Sequence, residues 1–360
     1  MTSKKLMVVM AACVTAFCAR AEVRTWTGGG GDANWSTPAN WGGTAPTTND
    51  TLVFGGTTQL ASYNDLATNT PIAGVVFSTG AGAFTLSGNP IALDGPVSNF
   101  SASAQTFGLG MALTGARVFD ASNGAITVSG ALSGAGGLTK TGPQALTLAA
   151  SNSYDGVTIV SNGLVAVTHG NALGSTNGNT EIYGPSGGCL EISGSITVPE
   201  AIFLNQQRPV GKNTLYIPSG SNTLSGLITC YSSRIHSAAG TTLVFAGGMT
   251  NKAGYIVLSN PTGSTIAFSG NPVSSSANRF YLEGTGLTIL GVAGNIWTPT
   301  EIASTATLRT DVANAMPPTA PLRMNTDNAT LNLNGFDQTV SELFHLSKGT
   351  LYSPVPATLT

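Results

Sequence analysis

From Gly130 to Val167 the chain is a series of short runs in which aliphatic residues alternate with Thr, Ser or Ala, most of them closed by Gly or Asn. A period of two sends one row of side chains into a core and the other into solvent, the pattern of a half-buried strand. The same texture recurs at residues 74–78, 83–87, 125–129, 145–149, 241–245, 264–268, 286–290 and 330–334. Strands of about five residues with Gly, Asn and Ser turns fit a parallel β-helix or an antiparallel sandwich. The β-helix is favoured because the motif recurs imperfectly over the whole length, the linkers are short, and no helix-period segments exist to serve as crossovers.

Composition agrees with an all-β chain. Only 8% of the 360 residues are charged, 46 are Gly and 41% are apolar, which is poor material for helix surfaces and too apolar for a disordered polymer.

Lys4 and Lys5 precede an apolar run from Leu6 to Cys18 and the small-residue pattern Ala19-Arg20-Ala21. Residues 1–21 are therefore expected to be a Sec-type signal peptide, and the run is shorter than the roughly 18 residues of a membrane span. Lipidation at Cys13, after Met10-Ala11-Ala12, is the competing reading. Losing Lys4, Lys5 and Arg20 takes the 14 basic residues to 11 against 16 acidic ones, or −5. That balance argues against nucleic acid or an anionic membrane as partner. Cys189 and Cys230 remain after the leader and are either bridged between neighbouring coils or packed as small apolar residues.

Residues 22–56 differ from the rest of the mature chain: Trp26 opens a glycine run, Asn34-Trp35 and Asn40-Trp41 repeat a dipeptide, and Asp50 leads into Leu52-Val53-Phe54. Three of the four tryptophans lie here. This segment is expected to cover the open end of a solenoid, whose terminal units are atypical. The functional alternative makes Trp26, Trp35 and Trp41 a glycan platform of exposed, coplanar rings. Gly28 to Gly31 lack the Lys-Ser/Thr of a phosphate loop and read as a flexible turn.

Gly136-Gly137-Leu138, Lys140, Gly142, Leu146, Leu148, Asn152, Tyr154, Gly156, Thr158, Val160 and Gly163-Leu164 together resemble the autotransporter-associated β-strand repeat of bacterial surface passengers. The tryptophan segment and the block from Leu331 to Val340 are similar to other parts of the same proteins. The resemblance implies a right-handed parallel β-helix displayed outside the cell, with surface glycans or neighbouring cells as partners and with Lys140 at a solvated corner. It implies no chemistry. The repeat region, residues 57–360, is expected to be incomplete at its C-terminus, and residues 311–316 leave room for a helical turn.

Parallel β-helices also carry polysaccharide lyases and hydrolases, so the residues have to be weighed for an enzymatic alternative. A glycosidase needs two carboxylates about 5 to 9.5 Å apart. Asp65, Asp94, Asp120, Asp155, Glu181, Glu191, Glu200 and Glu283 are scattered singly, and the closest grouping, Glu181, Glu191 and Glu200, reads as exposed carboxylates. His169, His236 and His345 show neither metal nor triad spacing. The sequence thus predicts an exported, non-catalytic structural protein with no cofactor and no metal, adhesive through a long Thr, Ser and Asn surface.

Overall fold

A computed structural model describes residues 21–183, 187–205, 213–275, 279–325, 328–345 and 349–360, and the expected leader lies outside them. Every strand pairing among these residues is parallel, and a strand such as Leu138–Thr141 pairs with its equivalents one coil before and one coil after, Arg117–Asp120 and Thr158–Val160. One coil shows the pattern. Arg117–Asp120 lies on a first face, Ile126–Val128 on a second and Leu132–Ser133 on a third. Phe119 is in register with Lys140, and Lys140 with Val160, so a coil takes about 20 residues. This is a parallel β-helix.

Alternation decides which side chains fill it. In Ile126–Val128 and Leu146–Leu148 the flanking aliphatic residues are buried and the central Thr is not. Leu146, Val165 and Leu190 then stack as one inward ladder, and Thr147, Ala166 and Glu191 as its outward counterpart. Corners demand glycine in places: Gly142 has φ +77°, and a Cβ there would stand 2.4 Å from the Ala121 backbone of the coil below.

Buried amides hold the coils together where strands do not. On the third face four strands run from Thr70–Ile72 to Leu132–Ser133 and eight from Thr197–Val198 onward. Between these two sheets, Asn152 accepts from Leu132 N at 2.8 Å and donates to Ala172 O at 2.6 Å, joining three coils with one side chain. Asn295 does the same, accepting from Val273 N at 2.8 Å and donating to Ala315 O at 2.8 Å. Each such amide satisfies backbone groups that would otherwise be buried unpaired.

At the N-terminal end the aromatic core continues into the tryptophan segment. Trp26 and Trp41 meet edge-on at 5.1 Å and 81°, Trp35 and Trp41 at 6.1 Å and 89°, and Phe54 touches all three rings. Their indole N–H groups donate to Thr58 O, Ser62 Oγ and Trp35 O. Asn40, on the 3-10 turn Pro38–Trp41, pins the glycine run by accepting from Gly30 N at 2.8 Å and donating to Asp32 O and Asn34 O. Two amides of the glycine run, Gly28 N and Gly30 N, are thus tied to Asn40. Asp50 is buried, which alone would raise its pKa, yet hydrogen bonds from Thr47, Glu22 N and Arg24 hold it below the usual carboxylate value.

Several further expectations change. Lys140 is not at a solvated corner: its side chain turns inward from Leu138–Thr141, and Nζ donates to Thr141 O, Gly142 O and Asn162 O at 2.5, 2.7 and 3.1 Å. Burial lowers its pKa to about 8, against the pull of the Asp120 charge. Of the two readings of the cysteines the packed one holds for Cys230, a buried thiol with no bridge to Cys189 that burial pushes up to about 12. Residues 311–316 contain bends and turns and no helix.

Candidate functional site

Trp26, Trp35 and Trp41 are 1%, 0% and 5% exposed and stand nearly perpendicular where they meet. A sugar ring needs a free, flat aromatic face, and these rings spend theirs on one another and on Phe54. They pack as core, and the exposed platform is not formed.

The acidic residues do not converge either. Asp94, Asp120 and Asp155 each accept a hydrogen bond from a hydroxyl of the following coil, from Thr114, Thr141 and Ser175. Asp65 accepts from Ser36 N at 2.8 Å. Glu181 lies on the first face in Thr180–Tyr183, and Glu191 on the second in Cys189–Ile192. Glu200, read as exposed, is buried: Thr180 donates to its Oε1 at 2.9 Å and Oε2 has no partner. Burial pushes this carboxyl up to about 8, the Thr180 bond opposing, so it is protonated at neutral pH. His169 sits exposed in a turn with Nδ1 accepting from Asn171 N at 3.1 Å. Among the described residues no group of three or more His, Cys, Asp or Glu is placed to hold a metal ion.

Chemistry gathers instead on the outside of the second face. Its early coils carry Thr106, Thr127 and Thr147 in one outward row. From Glu191 onward the row changes character: Glu191 is in register with Tyr216, Tyr216 with His236, His236 with Ser259 and Ser259 with Glu283. Tyr216 and His236 stack at 5.6 Å and 20°. Arg234 donates to Ser259 Oγ at 3.0 Å and pairs with Glu283, and His236 Nδ1 lies 3.1 Å from the same Oγ. Burial and the neighbouring Arg234 charge lower the His236 pKa, with the Ser259 hydrogen bond and the Glu283 charge opposing.

The adjacent outward row is denser still. Tyr281, Glu301, Arg323 and Phe344 succeed one another coil by coil, with Arg279 beside Tyr255 one row over. Arg279 and Arg323 converge on one atom, Glu301 Oε1, at 3.3 and 3.1 Å, while Asn325 donates to Oε2 at 3.2 Å. The Arg279 guanidinium lies 6.0 Å from the Tyr281 ring and that of Arg323 5.5 Å from the Phe344 ring. The Glu301 side chain is 3% exposed and those of Arg279 and Arg323 48% and 40%. Glu301 therefore acts as a sunken peg that fixes two cationic heads at the surface. Arginine and aromatic side chains held rigidly in this way are what contact surfaces use most.

Sequence reading missed this cluster because no local motif joins its members. Arg279, Glu301 and Arg323 follow one another at intervals of 22 residues, one coil each. A search for charged and aromatic residues repeating at the coil length would have found them.

No protein-family model matches the chain, and no solved structure matches it. Among curated proteins the chain is similar to the adhesin BmaC autotransporter of Brucella suis biovar 1 (strain 1330), at 27% identity over 338 residues. The match covers 82% of this chain and 9% of that protein, so the chain spans under a tenth of its relative's length. A parallel β-helix fits the passenger of such a protein. No helix among the described residues is long and apolar enough to cross a membrane.

Proposed function

We propose that this chain is part of an exported, non-catalytic surface passenger in which the β-helix is the scaffold and the outer second face is the adhesive element. The observation that carries the reading is the change along that face, from the Thr106, Thr127 and Thr147 row to the rows holding Tyr216, His236, Arg279, Tyr281, Arg323 and Phe344. The inward rows of the second face stay mainly aliphatic and aromatic in early and late coils alike, so the fold itself does not call for arginines and tyrosines outside. Similarity to an adhesin supports the same reading, as does a rod geometry that repeats contacts along its length. Signal-peptide export and a covering role for residues 22–56 belong to this proposal.

Adhesion is tested by coating microspheres with the full chain and scoring retention on bacterial and host-cell layers under flow. Retention above that of uncoated spheres is expected. Spheres that wash away from every layer would contradict the adhesive role while leaving the β-helix scaffold intact.

A further inference from the structure

The cluster around Glu301 has an unbalanced charge. Two guanidiniums converge on a single carboxylate oxygen, and that carboxylate is already engaged on its other oxygen by Asn325. A guanidinium carries five N–H donors in a planar fork. Arg279 directs Nε and Arg323 directs Nη1 at Glu301, which leaves further donors of each fork at a surface where both side chains are more than a third exposed. Buried or neutral surroundings would not need a second cation here, whereas an anion from outside would complete the pairing.

Aromatic faces frame the same spot. Tyr255 is 45% exposed beside Arg279, and Phe344 is 43% exposed under the Arg323 guanidinium. Rings next to fixed donors are suited to a ligand that has both an apolar ring face and an anionic group. The rows also repeat with the spacing of the coils, about 4.8 Å per rung, so a polymer can engage successive rungs and gain avidity from weak single contacts.

Resting on the adhesive reading above, we propose that the Arg279, Glu301 and Arg323 cluster binds the anionic groups of an acidic polysaccharide, carboxylate or sulfate, with Tyr255 and Phe344 stacking on the sugar rings. Planar carboxylates and sulfates both accept paired N–H donors from a guanidinium. Glu301 pre-positions the two forks and so removes part of the ordering cost of binding.

The full chain is titrated against polygalacturonate, dextran sulfate, unsubstituted dextran and poly-L-glutamate at low ionic strength. Binding to polygalacturonate, dextran sulfate or both is expected, weakening with added salt, with dextran inert. The first polymer reports the carboxylate as ligand and the second the sulfate. Arg279→Gln and Arg323→Gln should each weaken binding about tenfold, the loss of one charge-assisted contact. Each leaves the other arginine on Glu301. Phe344→Ser, at an exposed position, should weaken binding several-fold with an unchanged melting temperature. Failure of both acidic polysaccharides to bind would overturn the proposal, as would binding indifferent to Arg279→Gln and Phe344→Ser. Equal affinity for poly-L-glutamate with no effect of Phe344→Ser would also overturn it, in favour of an acidic protein partner. Cell-layer retention that survives Arg279→Gln would remove this proposal and keep the adhesive reading; polysaccharide binding without any cell retention would do the reverse.

Discussion

The early and late coils of the second face share a backbone and differ in what they show to solvent. Around Ile126–Val128 and Leu146–Leu148 the outward residue is Thr, a β-branched side chain that suits a pleated surface and makes no further demand. Around Arg279–Gly284, Thr300–Ile302 and Pro321–Met324 the outward residues are Tyr281, Glu301 and Arg323, while the inward ones remain Phe280, Leu282, Ile302, Leu322 and Met324. The interior is one continuous design, and the threonine coils demonstrate that it needs no charge outside. The comparison therefore separates residues kept for the fold from residues that the fold leaves unexplained, and the second group is where recognition belongs.

If the interior is common to both regions, truncating it should hurt equally in either. Leu148→Ala and Leu282→Ala are each expected to cost about 2–5 kcal/mol, read from denaturant unfolding of the full chain. A large cost in one region and none in the other would break the premise of a shared scaffold.

Next in size are two buried titratable groups, Glu200 and Lys140, and their pH dependences run in opposite directions. Glu200 has a pKa raised from 4.5 to about 8, so its folded form keeps a proton that the unfolded chain has lost. Stability from this site is full below pH 4.5 and declines as pH rises to about 8. Lys140, lowered from 10.5 to about 8, makes stability rise between those values, because there the unfolded chain holds the extra proton. Melting curves across pH should show Glu200→Gln flattening the first window and Lys140→Met the second. A wild-type profile without either slope would contradict the burial of both groups.

The amide staples should cost less than the core. Asn152→Ala and Asn295→Ala each strand backbone groups on neighbouring coils and are expected to lose about 2 kcal/mol, again alike in both regions. The smallest effect sharpens the comparison most. Thr127→Arg, which gives an early coil a late-coil residue, should change stability by less than about 0.5 kcal/mol. A loss of several times that would mean the threonine row is itself structural.

Much of the fold was legible because strand alternation and corner glycines are local signals. Residues 130–167 carried both, and the structure has parallel strands throughout that stretch. The three tryptophans were legible as an end unit but not as an interlocked cluster, since edge-to-face packing is settled by coils that only meet in space. Lys140 and Glu200 were misplaced for a related reason. Residue type says that a charge belongs outside, whereas register decides which way it points, and inside the coil three carbonyls accept from Lys140 while Thr180 donates to Glu200. The Glu301 cluster was invisible to motif reading because its members are neighbours only after two full turns of the helix.

The central claim is that recognition sits on the late coils of the second face, and blocking each region in turn tests it most directly. In a background with Cys13, Cys18 and Cys189 each replaced by Ser, and with Cys230 buried, a bulky maleimide polymer is attached at Thr127→Cys or at Tyr255→Cys. Cell-layer retention of the conjugated full chain is then measured. Loss of retention for the conjugate at position 255, with retention unchanged for the one at position 127, is the predicted result. Retention lost only at position 127, or untouched by either conjugate, would contradict the account.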